Sequence, residues 1–157
     1  KDSMTSILFM GVDKDELGTV KNVVGTGGQT DALYLIAIDT DNGVTTTFQI
    51  SRNTMVDIDL YNTAGDFIRT ENNQICLSYA YGDGKETSAE NTVRSVRRLF
   101  YGLPVAQSYT ALDISGISAL NDSIGGVTVT SPVTYKDDNN KVVYNEGQTY
   151  ELHGKDA

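Results

Sequence analysis

Two β-rich runs joined by an Asn-Gly turn constrain the fold of this chain more than any other feature. The first run, residues 32–38, is apolar almost throughout, as is typical of a strand that is buried on both faces. A turn of sequence Asp-Asn-Gly at residues 41–43 separates it from the second run, residues 44–50. Such a turn between two such runs predicts an antiparallel hairpin. We therefore expect the sheet of this protein to be built around residues 32–50.

Charged side chains stand at one end of this predicted hairpin. Asp31 immediately precedes the first run, and Arg52 lies just past the end of the second. Antiparallel pairing brings both residues to the same end of the sheet, on loops, where a rigid scaffold usually carries its chemistry. A carboxylate and a guanidinium at one edge suit a metal ion and a phosphate. A single structural salt bridge is the simpler alternative.

A second carboxylate belongs with this pair. Asp13 follows an apolar strand predicted at residues 6–10. Mg²⁺ needs only one or two carboxylates if phosphate oxygens of a substrate complete its coordination shell. Asp13, Asp31 and Arg52 are therefore a sufficient set for phosphoryl chemistry.

The rest of the chain alternates between helical and extended patterns. Two helices are predicted from apolar residues at helical spacing between polar caps and glycine stops, and residues 61–73 are predicted to be a polar connection. Strands interleaved with two helices indicate an α/β fold, a single domain with a mixed, mainly antiparallel central sheet that helices cover on both faces. A loop is expected over residues 14–30, and a helix is expected after Thr87 or Ser88 and ends at Gly102. A strand over 105–112 follows, and then a second helix after Asp113 or Ser115 with Ile117, Leu120 and Ile124 inward. The last expectations are a strand over 127–129, a hairpin turn over 137–140 and the opening of a third helix at the terminus.

Composition argues against several classes of function. The 157 residues are enough for one domain. A net charge of -9 argues against non-specific nucleic-acid binding and would repel an anionic membrane surface unless a local basic patch reverses it. The only cysteine, Cys76, lies in an apolar setting that favours a small buried side chain over a reactive thiol. The only histidine is His153, so neither a Ser-His-Asp relay nor a zinc site is indicated.

Other charged residues have simpler interpretations. Arg94, Arg97 and Arg98 share one flank of the first predicted helix, and a solvated face beside Glu90 is favoured over a phosphate site. The acids within residues 57–59 are expected to be solvated as well. No signal peptide or membrane span is visible in the sequence. Both ends of the chain are expected to be cuts from a longer protein.

Seven short motifs occur in an order that is far more specific than any one of them. Together they resemble the LytR-CpsA-Psr family, also called cell-envelope-related transcriptional attenuator domains, over nearly the whole of residues 1–157. The motifs are Gly11-Val12-Asp13, Thr30-Asp31-Ala32, Ile50-Ser51-Arg52-Asn53-Thr54, Tyr79-Ala80-Tyr81-Gly82, Gly102-Leu103-Pro104-Val105, Gly125-Gly126-Val127 and Leu152-His153-Gly154-Lys155-Asp156-Ala157.

The resemblance implies a function at the cell surface. Members of the family are extracytoplasmic domains of Gram-positive bacteria, tethered by an N-terminal membrane helix that this chain does not include. They transfer a phospho-linked glycopolymer, such as wall teichoic acid or capsule, from a polyprenyl-pyrophosphate carrier to peptidoglycan. The lipid lies in an apolar tunnel between sheet and helices, and Mg²⁺ and arginines bind the pyrophosphate. Here the tunnel would be lined by residues 79–81 and by Val93, Val96 and Phe100.

The resemblance also assigns roles to individual residues. Asp31 and Arg52 are the expected catalytic residues, and Asp13 and Asp31 the expected Mg²⁺ ligands. Substrate binding is expected from Gln29, Arg52, Tyr79 and Tyr81.

The chain departs from the family pattern at three of its motifs. Gln29 stands where the family commonly has an arginine, Asn53 replaces an acid, and Cys76-Leu77 replaces Asn-His. The arginine-bearing helix of the family, Tyr-Val-Arg-x-Arg, would begin where this chain ends, so the fragment alone is expected to lack those arginines. Two alternatives to the transferase therefore stay open: a non-catalytic module that binds polyprenyl lipid or glycan, and a metal-dependent pyrophosphatase acting on the same lipid.

Overall fold

The computed structural model describes residues 3–15, 17 and 24–156. Part of the loop expected over residues 14–30 therefore lies outside the described residues. Contacts between residues divide the chain into two compact units, Lys1–Ile114 and Ser115–Ala157, and each unit is described by itself below.

Five strands come first in the chain, and helices and further strands follow them. Those of the first unit are β1 (Met4–Val12), β2 (Thr30–Asp39), β3 (Val44–Ile50), β4 (Met55–Tyr61), β5 (Phe67–Gln74), α1 (Leu77–Ala80), α2 (Glu86–Leu99) and β6 (Ser108–Leu112). The remaining elements are α3 (Ile114–Ser123), β7 (Val127–Thr130), β8 (Tyr135–Lys136), β9 (Val142–Tyr144), β10 (Thr149–Leu152) and a 3₁₀ turn (Gly154–Asp156).

Four strands form the central sheet of the first unit, in the order β3-β2-β1-β6. β2 is antiparallel to both of its neighbours, and β6 is parallel to β1. The predicted hairpin is present, with Leu33 opposite Ile50 and Asp39 opposite Val44. The expectation of a mixed α/β fold with a mainly antiparallel sheet is thus confirmed.

One face of this sheet packs into the apolar core with α1 and α2. Every second side chain is buried from Ser6 to Val12 of β1 and at Leu33 and Leu35 of β2, because successive residues of a strand point to opposite faces. The largest fully buried apolar side chains are Leu8, Met10, Leu33, Leu35, Ile58, Ile75, Tyr79 and Val96. The alternate residues of β1 and β2, which include Ile7, Phe9, Tyr34 and Ile36, are only half-buried.

The prediction that residues 61–73 form a polar connection is wrong. Most of it is β5, which pairs antiparallel with β4 from Met55 opposite Gln74 to Tyr61 opposite Phe67. β5 is largely exposed, so its place in the hairpin depends on backbone hydrogen bonds and not on an apolar pattern. Polar side-chain pairs add to it, such as Asn72 with Asp57 at 3.1 Å.

Helix α2 begins earlier than the sequence predicts. Lys85 is its N-cap residue and makes no side-chain capping bond, whereas Ser88 is fully buried within the helix. The carboxylate of Asp83 supplies the missing acceptor, since its Oδ1 accepts from the backbone N–H groups of Lys85 (2.8 Å) and Ser88 (3.2 Å). Negative charge there is favourable at a helix N-terminus. The predicted stop is close to the observed one, because Gly102 N–H donates to the carbonyl of Arg97 at 2.7 Å.

The arginines of α2 bind protein groups, which corrects the expectation of a solvated face. Arg94 and Arg98 both contact the carboxylate of Asp59, at 3.3 and 2.8 Å. Arg97 donates to the carbonyls of Val105 and Ala106. Asp59 was also expected to be solvated, but only 5% of it is exposed.

The Asp59 carboxylate is held in its charged form. Burial by itself would raise its pKa, but hydrogen bonds from Thr70 and Arg98, and the charges of Arg98 and Arg94, together lower the pKa below its ordinary value. This ion-pair cluster links α2 to the β4–β5 hairpin.

The second unit contains α3 and two small antiparallel sheets, β7 with β10 and β8 with β9. The expected strand over 127–129 and the turn over 137–140 are present. One expectation is wrong here: Ile117, Leu120 and Ile124 were expected to face inward, but they are exposed. The last described elements are β10 and one 3₁₀ turn, and the third helix expected to open at the terminus stays a prediction. Among the described residues, no helix is long and apolar enough to cross a membrane.

Candidate functional site

The candidate site lies at the edge of the central sheet where β1 ends and β2 begins. Val12 pairs with Thr30 there, after an irregularity in the register between Gly11 and Val12. Just beyond this pair the two chains exchange hydrogen bonds: Asp13 N–H donates to the carbonyl of Gln29 at 3.0 Å, and Gln29 N–H donates to the carboxylate of Asp13. The Asp13 carboxylate therefore holds the backbone of Gln29.

Gly28 makes this close approach possible. Its φ is +90°, a conformation that favours glycine. A β-carbon at this position would lie 2.7 Å from Cγ of Lys14 and 2.8 Å from Cγ1 of Val12. The segment that carries Gln29 can therefore lie against β1 only with glycine at residue 28.

Arg52 enters the site from the end of β3. Its Nη1 forms an ion pair with Oδ1 of Asp31. The sequence correctly predicted that these two residues meet at one end of the sheet, although Asp31 belongs to β2 itself and not to a loop. The backbone of Arg52 is also fixed, since its carbonyl accepts from Cys76 N–H at 3.3 Å.

Two further side chains contact the Arg52 guanidinium. Nη2 of Arg52 donates to Oε1 of Gln29 at 2.8 Å. The sulfur of Cys76 lies 4.0 Å from the same nitrogen and 3.6 Å from the same oxygen. Cys76 is fully buried, as expected, but its contact with the candidate site was missed. No local sequence signal could reveal it, because Cys76 is 24 and 47 residues from its two partners.

The Asp31–Arg52 ion pair borders a cavity of about 440 Å³ on the β2–β3 hairpin. This volume is within the range of small-molecule sites, about 300–1,000 Å³. The cavity is lined by Asp31, Ala32, Leu33, Tyr34, Gln49, Ile50, Ser51 and Arg52. An anionic group entering it would meet the guanidinium at its rim.

Asp13 and Asp31 are the candidate metal ligands. Across residues 3–15, 17 and 24–156 no group of three or more His, Cys, Asp or Glu side chains could hold a metal ion. Carboxylate oxygens are nevertheless the donors that Mg²⁺ prefers, and one or two suffice when substrate oxygens and water complete the shell. Two carboxylates are too few to hold a cation by themselves, so the Mg²⁺ site expected at Asp13 and Asp31 stays a prediction that depends on oxygens from a phosphate-bearing substrate and from water.

The prediction that Tyr79, Val93 and Val96 line an apolar channel is wrong. These side chains are at most 6% exposed and belong to the filled core, whereas a channel wide enough for a lipid would leave its walls accessible. Tyr79 donates to the carbonyl of Gly84 at 3.3 Å, and burial, with the nearby Asp83, raises its pKa to about 12. Its phenol is therefore neutral at physiological pH and cannot act as a base. Tyr81 is half-buried against the same core.

The chain is similar to known proteins in both sequence and structure. The LytR_cpsA_psr family model matches residues 1–157. Two curated relatives are named polyisoprenyl-teichoic acid–peptidoglycan teichoic acid transferase TagU. The protein from Enterococcus faecalis is 24% identical over 85% of this chain and 37% of its own length. The protein from Bacillus cereus is 28% identical over 88% of this chain and 38% of its own length.

A solved structure agrees with the fold. The crystal structure of B. subtilis TagV matches 99% of this chain and 54% of its own, with a TM-score of 0.70 and 26% sequence identity. The chain thus spans about half the length of that structure and less than two fifths of the curated relatives.

Proposed function

This chain belongs to the LytR-CpsA-Psr family, and on that premise we propose that the protein is a transferase that attaches a glycopolymer to peptidoglycan. The donor would be a glycopolymer, similar to teichoic acid or capsule, linked to a polyprenyl pyrophosphate. Both curated relatives are named teichoic acid transferases. We place the reaction outside the cytoplasmic membrane of a Gram-positive bacterium, with the protein held by an N-terminal membrane anchor, because the acceptor lies there.

The observation that carries this proposal is the Asp31–Arg52 pair at the rim of the cavity. Arg52 has a planar guanidinium with five N–H donors, which can bind two phosphoryl oxygens at once. Asp31 lies directly beside it, where an acceptor hydroxyl would approach the same phosphorus. The pair therefore brings together a group for the charge of the phosphate and a group for the proton of the acceptor.

The proposed reaction is a substitution at the phosphorus that bears the glycopolymer. An acceptor hydroxyl of peptidoglycan forms the new P–O bond and passes its proton to the Asp31 carboxylate. The bond from that phosphorus to the bridging oxygen breaks, and polyprenyl phosphate leaves. Arg52 binds the non-bridging oxygens, whose charge must be stabilised in the transition state.

Mg²⁺ is part of this proposal, with Asp13 and Asp31 as its ligands. A bound divalent cation would neutralise negative charge on the pyrophosphate and orient its oxygens. In this structure Asp31 is paired with Arg52. A cation at Asp31 would take over part of that carboxylate's charge and free Arg52 for the phosphoryl oxygens.

One observation favours a different function. Gln29 stands where the resembling family commonly has an arginine, so the site has one cation less for a pyrophosphate. A module that binds polyprenyl lipid or glycan without turnover would tolerate that loss better than an enzyme would. Retention of Asp13, Asp31 and Arg52 in one hydrogen-bonded group favours the transferase.

The test is glycopolymer transfer from a polyprenyl-pyrophosphate donor to peptidoglycan by the intact protein in the presence of Mg²⁺. Arg52→Ala should lower turnover by about 10²-fold or more, the scale expected for a group that stabilises transition-state charge. Arg69→Ala is the matched control, because Arg69 is also in an exposed ion pair, with Glu71 at 2.7 Å, but lies on β5 outside the site. Its turnover should match that of the wild type.

Three other outcomes would contradict the proposal in different ways. Equal transfer by wild type and Arg52→Ala would remove Arg52 from the mechanism. Lipid binding without transfer by the wild type would identify a binding module. Release of the polymer phosphate into water, without attachment to peptidoglycan, would identify a pyrophosphatase.

A further inference from the structure

We propose that Gln29 is a positioning residue, which orients the Arg52 guanidinium and does not itself bind the pyrophosphate. This inference rests on the proposed function, because it concerns how Arg52 is presented to a phosphate. It changes the role expected for Gln29, which the family resemblance suggests to be a substrate-binding residue.

Both terminal nitrogens of Arg52 have a protein partner. Nη1 is paired with the carboxylate of Asp31, and Nη2 donates to the amide oxygen of Gln29 at 2.8 Å. A planar group held at both ends cannot rotate without breaking one of these contacts. Two of the five N–H donors of the guanidinium are used in this way, and Nη2 also lies 4.0 Å from the sulfur of Cys76.

The backbone of Gln29 is itself held, so its side chain starts from a defined place. Gln29 exchanges two hydrogen bonds with Asp13. The next residue, Thr30, donates from its N–H to the carbonyl of Cys76 at 3.2 Å, and Cys76 N–H donates to the carbonyl of Arg52. The segments that carry Gln29, Cys76 and Arg52 are therefore tied together through their main chains as well as their side chains.

The chemistry of an amide suits this role. Gln29 supplies a neutral acceptor, so it holds Arg52 without adding a second negative charge to that of Asp31. A glutamate at residue 29 would keep an acceptor oxygen but would add a second negative charge next to Nη2. That charge would repel the phosphate as well as hold the guanidinium.

The alternative role for Gln29 is direct contact with the substrate through its amide N–H groups. The two roles differ in additivity. A residue that acts only through Arg52 has no effect once Arg52 is removed, whereas a residue that touches the ligand keeps its effect. A double-mutant cycle between Gln29 and Arg52 therefore separates them.

The cycle is measured as binding of geranyl diphosphate with Mg²⁺ by titration calorimetry, on the intact protein. Gln29→Ala should weaken binding about tenfold, the scale of one hydrogen bond to a charged group. In an Arg52→Ala background the same change should alter affinity less than about twofold, within the error expected for additivity. Asn72→Ala is the matched control, because it also removes an amide bonded to a charged side chain, Asp57, but lies outside the site. An additive cycle would overturn the inference and assign Gln29 to the ligand.

A second measurement needs no ligand and is independent of the proposed function. The Arg52 side-chain Nε–H signal is followed by ¹⁵N NMR in the ligand-free protein. It should be sharp and protected in the wild type and in Gln29→Glu, and should broaden or exchange faster in Gln29→Ala. An unchanged signal in Gln29→Ala would overturn the inference. If transfer and ligand binding both fail but this signal responds, the proposed function is wrong and the contact still positions Arg52.

Discussion

Arg52 and Asp31 form an ion pair in which both side chains are substantially exposed, at 40% and 44%. Exposed ion pairs contribute about 0–1 kcal/mol to stability, because water solvates the separated charges almost as well. Replacing either residue should therefore leave the fold intact. Effects of such replacements on activity can then be assigned to the chemistry of the site.

Arg52→Lys tests whether the shape of the guanidinium matters in addition to its charge. Lysine keeps the charge but cannot bind two phosphoryl oxygens in one plane. We expect turnover between those of the wild type and Arg52→Ala, and a free energy of unfolding within about 1 kcal/mol of wild type. Transfer assays and urea unfolding measure the two quantities. Full activity with lysine would show that charge alone is required.

Asp31→Asn tests the metal role of the same pair. An amide oxygen carries no charge and is a weaker ligand for Mg²⁺, so the Mg²⁺ concentration for half-maximal transfer should rise by about tenfold or more. Asp41→Asn is the control, since Asp41 is an exposed acid in the turn between β2 and β3, at the opposite end of the hairpin. A Mg²⁺ requirement that is unchanged in Asp31→Asn would remove Asp31 from the metal site.

Asp59→Asn tests the ion-pair cluster of Asp59, Arg94 and Arg98, which links α2 to the β4–β5 hairpin. The change leaves Arg94 and Arg98 without their carboxylate. Because 35% of each arginine side chain remains exposed, water offsets part of the loss, and we expect the free energy of unfolding to fall by about 2 kcal/mol at pH 7. Asp57→Asn, two residues along the same strand and exposed, should change it by less than about 0.5 kcal/mol.

The Asp59 pair also predicts a dependence of stability on pH. The pKa of Asp59 is lowered in the folded state, so the unfolded chain takes up its proton first as the solution becomes acidic. The stabilisation is fully present above the unfolded pKa of about 3.9 and is lost as pH falls through the folded value. Unfolding by urea between pH 6 and pH 2 should show a weaker loss of stability in Asp59→Asn than in the wild type. Parallel curves would contradict this assignment.

Gly82→Ala tests the junction between α1 and α2. A β-carbon at Gly82 would overlap the backbone of Ser88 in the first turn of α2. Since a backbone cannot move aside as a side chain can, we expect destabilisation of at least about 2 kcal/mol. Gly65→Ala is the control: it meets no atom within 4 Å but has a φ of +88°, and should lose only about 1 kcal/mol. Equal losses in the two variants would show that the junction can rearrange.

The hairpin and the meeting of Asp31 with Arg52 could be predicted because both follow from local rules. An Asn-Gly turn and an apolar run specify the strands and their pairing, and the pairing brings the two ends together. Strand β5 could not be predicted in this way. After Phe67 and Ile68 its side chains are all polar, and most of the strand is exposed, so it lacks the apolar alternation by which a strand is recognised.

The α/β fold around the β2–β3 hairpin, the family, and the pairing of Asp31 with Arg52 could all be inferred from the order of the amino acids. Three contacts emerge only in the folded chain: Asp59 is a buried partner of two arginines, Tyr79 belongs to the core, and Gln29 holds Arg52. The physical reason is the range of the interactions. Turn geometry and side-chain periodicity act between neighbours in the chain, whereas burial and side-chain contact depend on which distant segments share the same space.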